Sequence, residues 1–321
     1  MSDECRPRIL LSRCIEYEHC RFNGGIVSSR EIKNLKPFVK FITVCPEEAV
    51  GLSVPREAIR MIRKKGERHL IWSLSGKDIT QDMKDYTERY LKDLEDIDGA
   101  VLKSRSPTCG IKDVKVYPSA GKVAALGEKT TGLFGGAVAG FFQDIPVEDE
   151  VRLTNLRIRE HFYTRIFTHK RFADLKKTPT MAKLVDFHTR HRYLFMIYSQ
   201  KEWRNADRVV ARHSNKTLGT ALEAYKAVLN KIFLKPPRRS SVINVIMHIM
   251  GYFSNQLSSE EKAFFFDQLE IYREGKIPMS NLILILRSWI VRFNNDYLKK
   301  QIFFEPYPRD LISISDSGKT E

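Results

Sequence analysis

Between residues 8 and 103, short apolar runs alternate with polar stretches of helical pattern. Arg8–Ser12 reads RILLS, Val39–Val44 reads VKFITV, His69–Leu74 reads HLIWSL and Gly99–Lys103 reads GAVLK. Ser29–Leu35, Arg56–Lys65 and Asp78–Asp96 lie between them and carry helical spacing, the last with Asp78 or Thr80 as its N-cap. Parallel strands need a long crossover between them, usually a helix, so this alternation predicts a parallel sheet. Gly132–Phe142 (GLFGGAVAGFF) reads either as a last helix or as a flexible lid, and the acidic PVEDEVRL at 146–153 marks a transition.

Beyond residue 155 the strand signals stop. Thr180–Tyr198, Leu218–Phe233, Ser240–Leu257, Ser259–Glu274 and Ser280–Asn294 carry apolar positions at helical spacing. Ser258 is a suitable N-cap before Glu260 and Glu261, and Gly275 a suitable stop. The expected architecture is an α/β domain with a mostly parallel sheet over residues 1–155. An all-α domain over 156–321 follows it.

All five cysteines (Cys5, Cys14, Cys20, Cys45, Cys109) fall in the first 109 of 321 residues. An odd number argues against a disulfide framework and leaves a metal or redox site as the alternative to plain buried thiols. Cys14 follows the first predicted strand, Cys45 the second, and Cys109 the loop after GAVLK. Sites in open α/β sheets form outside the carboxyl ends of strands, so these three can converge although they are far apart in sequence. On spacing alone, three thiolates with an open position would also suit zinc.

The charge is divided as unevenly as the cysteines. Residues 1–150 hold 24 Lys and Arg against 23 Asp and Glu; residues 151–321 hold 30 against 16. Excess positive charge confined to one half points to a polyanionic partner. No apolar run approaches the length of a membrane span, and the acids before the first apolar run do not fit a secretory leader, so a cytoplasmic location is expected.

The phrases Leu11-Ser-Arg-Cys14, Cys20-Arg-Phe-Asn-Gly-Gly25, Cys45-Pro-Glu-Glu, Gly51-Leu-Ser-Val-Pro-Arg56 and Lys103-Ser-Arg-Ser-Pro-Thr-Cys-Gly110 together resemble the thiouracil desulfurase (TudS) family. Asp186-Phe-His-Thr-Arg-His-Arg192, Asn244–Phe253, Tyr272–Gly275 and Pro306-Tyr-Pro308 resemble the helical YbgA-type domain. The two in this order resemble the RNA 4-thiouridine desulfidases (RudS). The resemblance implies a [4Fe-4S] cluster held by Cys14, Cys45 and Cys109, with Cys20 a neighbour and Cys5 uninvolved. It also implies non-redox conversion of 4-thiouridine in tRNA to uridine with release of sulfide. Action on free thiouracil or thiouridine is the alternative enzyme, and a non-catalytic iron–sulfur sensor that binds nucleic acid is the alternative class.

Three sulfur ligands would leave one Lewis-acidic iron for a soft thiocarbonyl sulfur, and a general base must then activate water. Glu47, two residues after Cys45, is the first candidate and Glu48 the second; either could be an ordinary acid at a helix start. Ser104 and Ser106 could hydrogen-bond the base or the leaving sulfide, or could shape the turn at Pro107. For RNA contacts the candidates are Arg190, Arg192, Arg204, Arg208, Arg238 and Arg239, with Arg212 on the same stretch. Tyr193, Trp203 and Tyr252 could stack on bases, although core packing suits each better. His188 and His191 are more simply read as hydrogen-bonded side chains than as metal ligands.

Overall fold

A computed structural model describes residues 6–211 and 217–312. The described residues form two compact units: one runs to Lys170 and takes back residues 310–312, the other is Arg171–Arg309.

The first unit is built on strands β1 (Arg8–Ser12), β2 (Lys40–Val44) and β5 (Gly99–Leu102), with β8 (Val147–Asp149) at an edge. Their order is β2-β1-β5-β8, and every pairing is parallel. β1 and β5 are covered on both faces: Ile9, Leu10, Leu11, Ala100, Val101 and Leu102 are fully buried. That burial is why they read as unbroken apolar runs. Helix α1 (Arg30–Leu35), capped by the Ser29 side chain, connects β1 to β2 as expected. Helix α2 (Pro46–Ala49) follows β2 directly. Helix α3 (Thr80–Asp93) precedes β5 and buries Met83, Thr87 and Leu91. Its start is held differently from the expectation. Ile79 is the N-cap, while Asp78 Oδ1 accepts from Thr80 N at 2.9 Å and Thr80 Oγ1 accepts from Leu70 N at 2.8 Å.

Two expectations fail here. Arg56–Lys65 is not a helix, and His69–Leu74 does not belong to the parallel sheet. Ile59–Lys64 is strand β3 and Glu67–Trp72 is β4, an antiparallel pair in a second sheet ordered β4-β3-β6-β7 with β6 (Val114–Tyr117) and β7 (Lys129–Thr130). The deciding feature is Lys65-Gly66, where both residues take positive φ (51° and 85°). Two left-handed residues make the hairpin turn whose twist suits antiparallel strands. Ile59 and Met61 then bury on one face with Arg60 between them.

The glycine-rich segment is a helix, α4 (Leu133–Phe141), and not a lid. Its glycines let it lie against the loop that carries Cys109. A Cβ on Gly132 would come within 2.4 Å of Thr108 O, and one on Gly135 within 2.1 Å of Cys109 O. Gly132 N donates to Gly110 O (2.7 Å) and Gly135 N to Thr108 O (3.0 Å).

The boundary expected at residue 155 coincides with the start of helix α5 (Leu156–Lys177), whose residues divide between the two units at Lys170. Ile166 packs where a side chain on Gly99 would be, 2.8 Å from its notional Cβ.

The second unit contains α6 (Met181–Arg190), α7 (Arg192–Tyr198), α8 (Gln200–Ala211), α9 (Leu218–Ile232), α10 (Arg239–Met250), α11 (Ser259–Arg273), α12 (Met279–Arg292) and α13 (Asp296–Lys299). Thr180–Tyr198 is therefore two helices, broken at His191. Ser258 and Glu261 form a reciprocal capping box at α11, and Gly275 ends it at φ +84°. No described helix is long and apolar enough to cross a membrane.

Gly135→Ala should destabilise the protein by about 1–3 kcal/mol, because the added methyl overlaps the Cys109 carbonyl. Gly140→Ala meets nothing within 4 Å and should be neutral or slightly stabilising. Urea titrations of the two variants check this; equal midpoints would refute the close-packing account.

Candidate metal centre

In-register parallel pairing brings three chain reversals to one edge of the sheet. Ser12 pairs with Val44 and Leu11 with Val101, so β1, β2 and β5 end side by side. Cys14 lies two residues past β1, and Val27 N donates to its carbonyl (2.8 Å). Cys45 follows β2 and is the N-cap residue of α2. Cys109 is fixed by Ser106, whose Oγ accepts from Thr108 N (3.2 Å) and Cys109 N (3.0 Å). All three cysteines line one cavity of about 480 Å³.

A fourth sulfur is present. Cys20 is buried and lines the same cavity. Its sulfur, the Cys45 sulfur and a Glu48 carboxylate oxygen lie within 4.8 Å of one another. Cys5 lies outside the described residues.

Mutual proximity and burial oppose ionisation of these thiols. The hydrogen bond with Cys14 is the main cause that pushes Cys20 up to about 12. Cys45 is raised by its bond with Cys20 and then by burial; Cys109 is raised mainly by burial. A bound cation reverses this, since metals take thiols as thiolates. Converging sulfur donors select thiophilic centres, iron–sulfur or zinc, over calcium or magnesium.

Charged pairs brace the cavity wall. Glu47 lines it and pairs with Arg56, whose side chain is only 1% exposed. Arg56 also donates to Ser53 O and Cys20 O, each at 3.1 Å. Glu48 is 3.6 Å from Arg13. At the carboxyl ends of β5 and β8, buried Glu150 accepts from Ser104 Oγ (2.7 Å), Ser104 N (2.8 Å) and Lys103 Nζ (2.5 Å). Lys103 N in turn donates to Ser12 Oγ (2.9 Å). The Ser104 hydroxyl proton is thereby committed to Glu150. The Ser106 oxygen accepts from the backbone, which leaves its own proton available.

Sequence reasoning missed Glu150, Ser12 and Arg56 as site residues. Ser12 stands inside the LSRC phrase and Arg56 closes GLSVPR, but Glu150 sits in an acid run that reads as a linker.

The helical unit separates the expected RNA contacts into different situations. Arg204 and Arg208 are exposed one turn apart on α8, and Arg190 is half-exposed 3.7 Å from Asp186. Arg238 is the exposed N-cap residue of α10. Arg192 instead lies over the rings of Tyr193 (5.7 Å) and Trp203 (5.4 Å), and Arg239 rests against the backbone of Gly275. Arg212 lies outside the described residues. Tyr193 is fully buried, Trp203 is partly buried against the core and Tyr252 is exposed. His188 contacts Tyr225 (3.0 Å) and Asp207 (3.4 Å), whereas His191 bonds to Phe187 O (2.7 Å). Their separate partners give no shared metal position.

Residues 9–150 match the family described as 2-thiouracil desulfurase. An uncharacterized protein of Bacillus subtilis (strain 168), YbbK, is 34% identical over 109 residues, covering 32% of this chain and 72% of that protein. The chain belongs to the 2-thiouracil desulfurase family. Residues 192–308 match a protein family of unknown function, DUF1722. An uncharacterized Escherichia coli (strain K12) protein, YbgA, is 28% identical over 156 residues, 48% of this chain and 92% of its own length. Among solved structures, the [4Fe-4S]-dependent thiouracil desulfidase TudS shares 26% identity over 46% of this chain and 93% of its own, with a TM-score of 0.37. This 2-thiouracil desulfurase family member thus joins its thiol-lined domain to a DUF1722 domain.

In metal-free protein Cys20 should resist alkylation well above neutral pH. A thiol of pKa about 8.5 is half ionised at pH 8.5, whereas Cys20, near 12, is almost wholly protonated there. Iodoacetamide labelling across pH 7–11, read by mass spectrometry, checks it. Labelling of Cys20 that saturates by pH 9 would contradict the proposed crowding.

Proposed function

We propose that this chain is an iron–sulfur-dependent desulfidase that converts 4-thiouridine in tRNA to uridine, with water as co-substrate and sulfide as product. The observation that carries the reading is the convergence of Cys14, Cys45 and Cys109 on one cavity, in a member of the 2-thiouracil desulfurase family. Cys14, Cys45 and Cys109 offer three sulfur donors to one cavity, which fits a [4Fe-4S] cluster bound through these three residues. When bound, the cluster supplies a thiophilic Lewis acid for the thiocarbonyl sulfur.

The chain's own residues then have distinct tasks. Glu47 takes a proton from water as the oxygen attacks the ring carbon. Arg56 holds Glu47 Oε2 and so directs the other oxygen toward the cavity. The carbonyl forms as the attacking oxygen loses its second proton, the carbon–sulfur bond breaks, and sulfur leaves as hydrogen sulfide carrying both protons of the water, with no net redox change. Glu47 returns the first proton; Ser106 relays the second, giving its hydroxyl proton to the departing sulfur and taking the one released by the attacking oxygen. Ser104 acts through Glu150 and Lys103 by fixing the loop, and is a positioning residue.

A cavity of about 480 Å³ lies within the range of sites for single small ligands, here one base or nucleoside. A tRNA would have to present its thiolated base unstacked. The excess positive charge of residues 151–321 supports polymer binding through phosphates. Arg190, Arg204, Arg208 and Arg238 are exposed cations that could meet phosphates; Arg192 lies over the Tyr193 and Trp203 rings.

Serine at position 14, 45 or 109 should remove most of the bound iron and all activity. Glu47→Gln should keep the iron and lower turnover roughly 100-fold. Anaerobic reconstitution, iron and sulfide assays, and turnover of thiolated tRNA and of free 4-thiouracil check both. Full turnover by Glu47→Gln would transfer the base to Glu48.

Reversing Arg190, Arg204, Arg208 and Arg238 to Glu in the full chain should weaken tRNA binding and flatten its salt dependence, by roughly one unit of logarithmic slope per lost phosphate contact. Thiolated and unthiolated tRNA should be affected alike, and free-base turnover left unchanged. Equilibrium titrations over a salt series check this. Unaltered tRNA affinity would favour free thiouracil or thiouridine as the substrate.

A further inference from the structure

We infer that Cys20 is a fourth, exchangeable ligand of the cluster, which occupies the open position in the resting protein and gives way to the thiocarbonyl sulfur of the substrate. The inference rests on the desulfidase reading and deepens it.

Position is the first argument. Cys20 is not merely in the same domain as the other cysteines: its sulfur lies within 4.8 Å of the Cys45 sulfur, at the wall of the cavity that Cys14 and Cys109 also line. Glu48 is the competing donor, within 4.8 Å of the same two sulfurs. A soft thiolate outcompetes a carboxylate for iron in a sulfide-bridged cluster, and such clusters ordinarily take four thiolates.

The second argument is that the Cys20 segment is deliberately held. Arg56, almost wholly buried, donates to Cys20 O, and Arg56 N donates to Phe22 O at 2.7 Å. Burying a guanidinium is costly unless its hydrogen bonds are met. Here Glu47, Ser53 O and Cys20 O meet them. The same side chain therefore orients the proposed base and positions residue 20.

The third argument explains exchange. Cys45 directly follows a strand, Cys14 lies two residues past one and is tied by Val27, and Cys109 is locked by Ser106 and α4. Cys20 is held through its carbonyl, on a turn where Gly24 N returns to Arg21 O (2.8 Å). Its side chain can rotate away without breaking any of those bonds. The resting site would then be closed to oxygen and stray thiols and opened only by a competing sulfur.

The test uses the full chain reconstituted anaerobically, with wild type, Cys20→Val and Glu48→Gln compared. Under mild ferricyanide oxidation, wild type and Glu48→Gln should keep their iron. Cys20→Val should develop the electron paramagnetic resonance signal of a three-iron cluster at least roughly tenfold faster, since even an outer-shell partner contributes that much to metal retention. Wild-type holoprotein, which needs no variant, gives a second readout. At pH 11, where metal-free Cys20 begins to ionise and label, iodoacetamide should leave Cys20 of the holoprotein unlabelled until 4-thiouridine is added, and uridine should not expose it.

Equal iron loss in wild type and Cys20→Val, or equal labelling of Cys20 with and without cluster at pH 11, overturns the ligation. If 4-thiouridine is still desulfurised in that case, the proposed function survives alone. If Cys20 is protected but 4-thiouridine neither exposes it nor loses sulfur, the exchange fails together with the desulfidase reading.

Discussion

The site depends on the parallel register of β1 with both of its neighbours. Because Ser12 faces Val44 and Leu11 faces Val101, three strands deliver the chain to the same edge within a few ångströms. Antiparallel pairing at either position would send one cysteine to the opposite end of the sheet. The register is held by burial, not by the thiols: Ile9, Leu10, Leu11 and the whole of β5 have no exposed face. Slipping one residue would interrupt a two-sided apolar layer. A metal centre assembled there inherits its geometry from a core that forms without it.

Loops of this kind need more than a sheet edge to hold shape. Glu47–Arg56 and Glu150–Lys103 are largely buried pairs, and each also satisfies backbone groups. Buried pairs contribute little net stability, because desolvation offsets their attraction, but removing one partner leaves a charge stranded at a cost of about 3–5 kcal/mol. Their value lies in discrimination between loop conformations. Any arrangement that separates Glu150 from Ser104, or Arg56 from Cys20, leaves a hydrogen bond of a buried charged group unmet. The Gly132 and Gly135 contacts add the steric half of the same constraint, since only a helix without Cβ atoms there can close on the Cys109 loop.

The parallel sheet and three of the four cavity cysteines were legible because strands buried on both faces leave unbroken apolar runs, and their ends can be read directly. The β3–β4 hairpin was not, because Ile59, Met61 and Ile62 fit a helical spacing as well as an alternating one. Only the left-handed Lys65-Gly66 pair separates the two readings, and positive φ at a lysine carries no sequence signal. β6 and β7 are four and two residues long, too short for periodicity. Glu150 was invisible for a different reason: a buried acid and a linker acid look alike until the partner, 46 residues away, is known. Among the arginines, composition marks the charge but not whether a ring or a backbone already holds it, as at Arg192 and Arg239.

Size and charge together bear on how such a site could act on RNA. The thiol-lined cavity is of small-ligand size, about 480 Å³, while the cationic excess lies in the other half of the sequence. Phosphate contacts are indifferent to a single sulfur atom, so they can raise affinity but cannot select the substrate. Selection must come from the thiol-lined cavity, where sulfur differs from oxygen in softness far more than in shape. A site that rejected uridine by fit alone would gain little, because the two bases differ by one atom of modest extra radius. A site that requires sulfur to displace a thiolate gains its discrimination from the chemistry of the exchange. On that account Cys20 sets selectivity as well as protection, and the neutral N-terminal half needs no strong electrostatic grip on the nucleic acid.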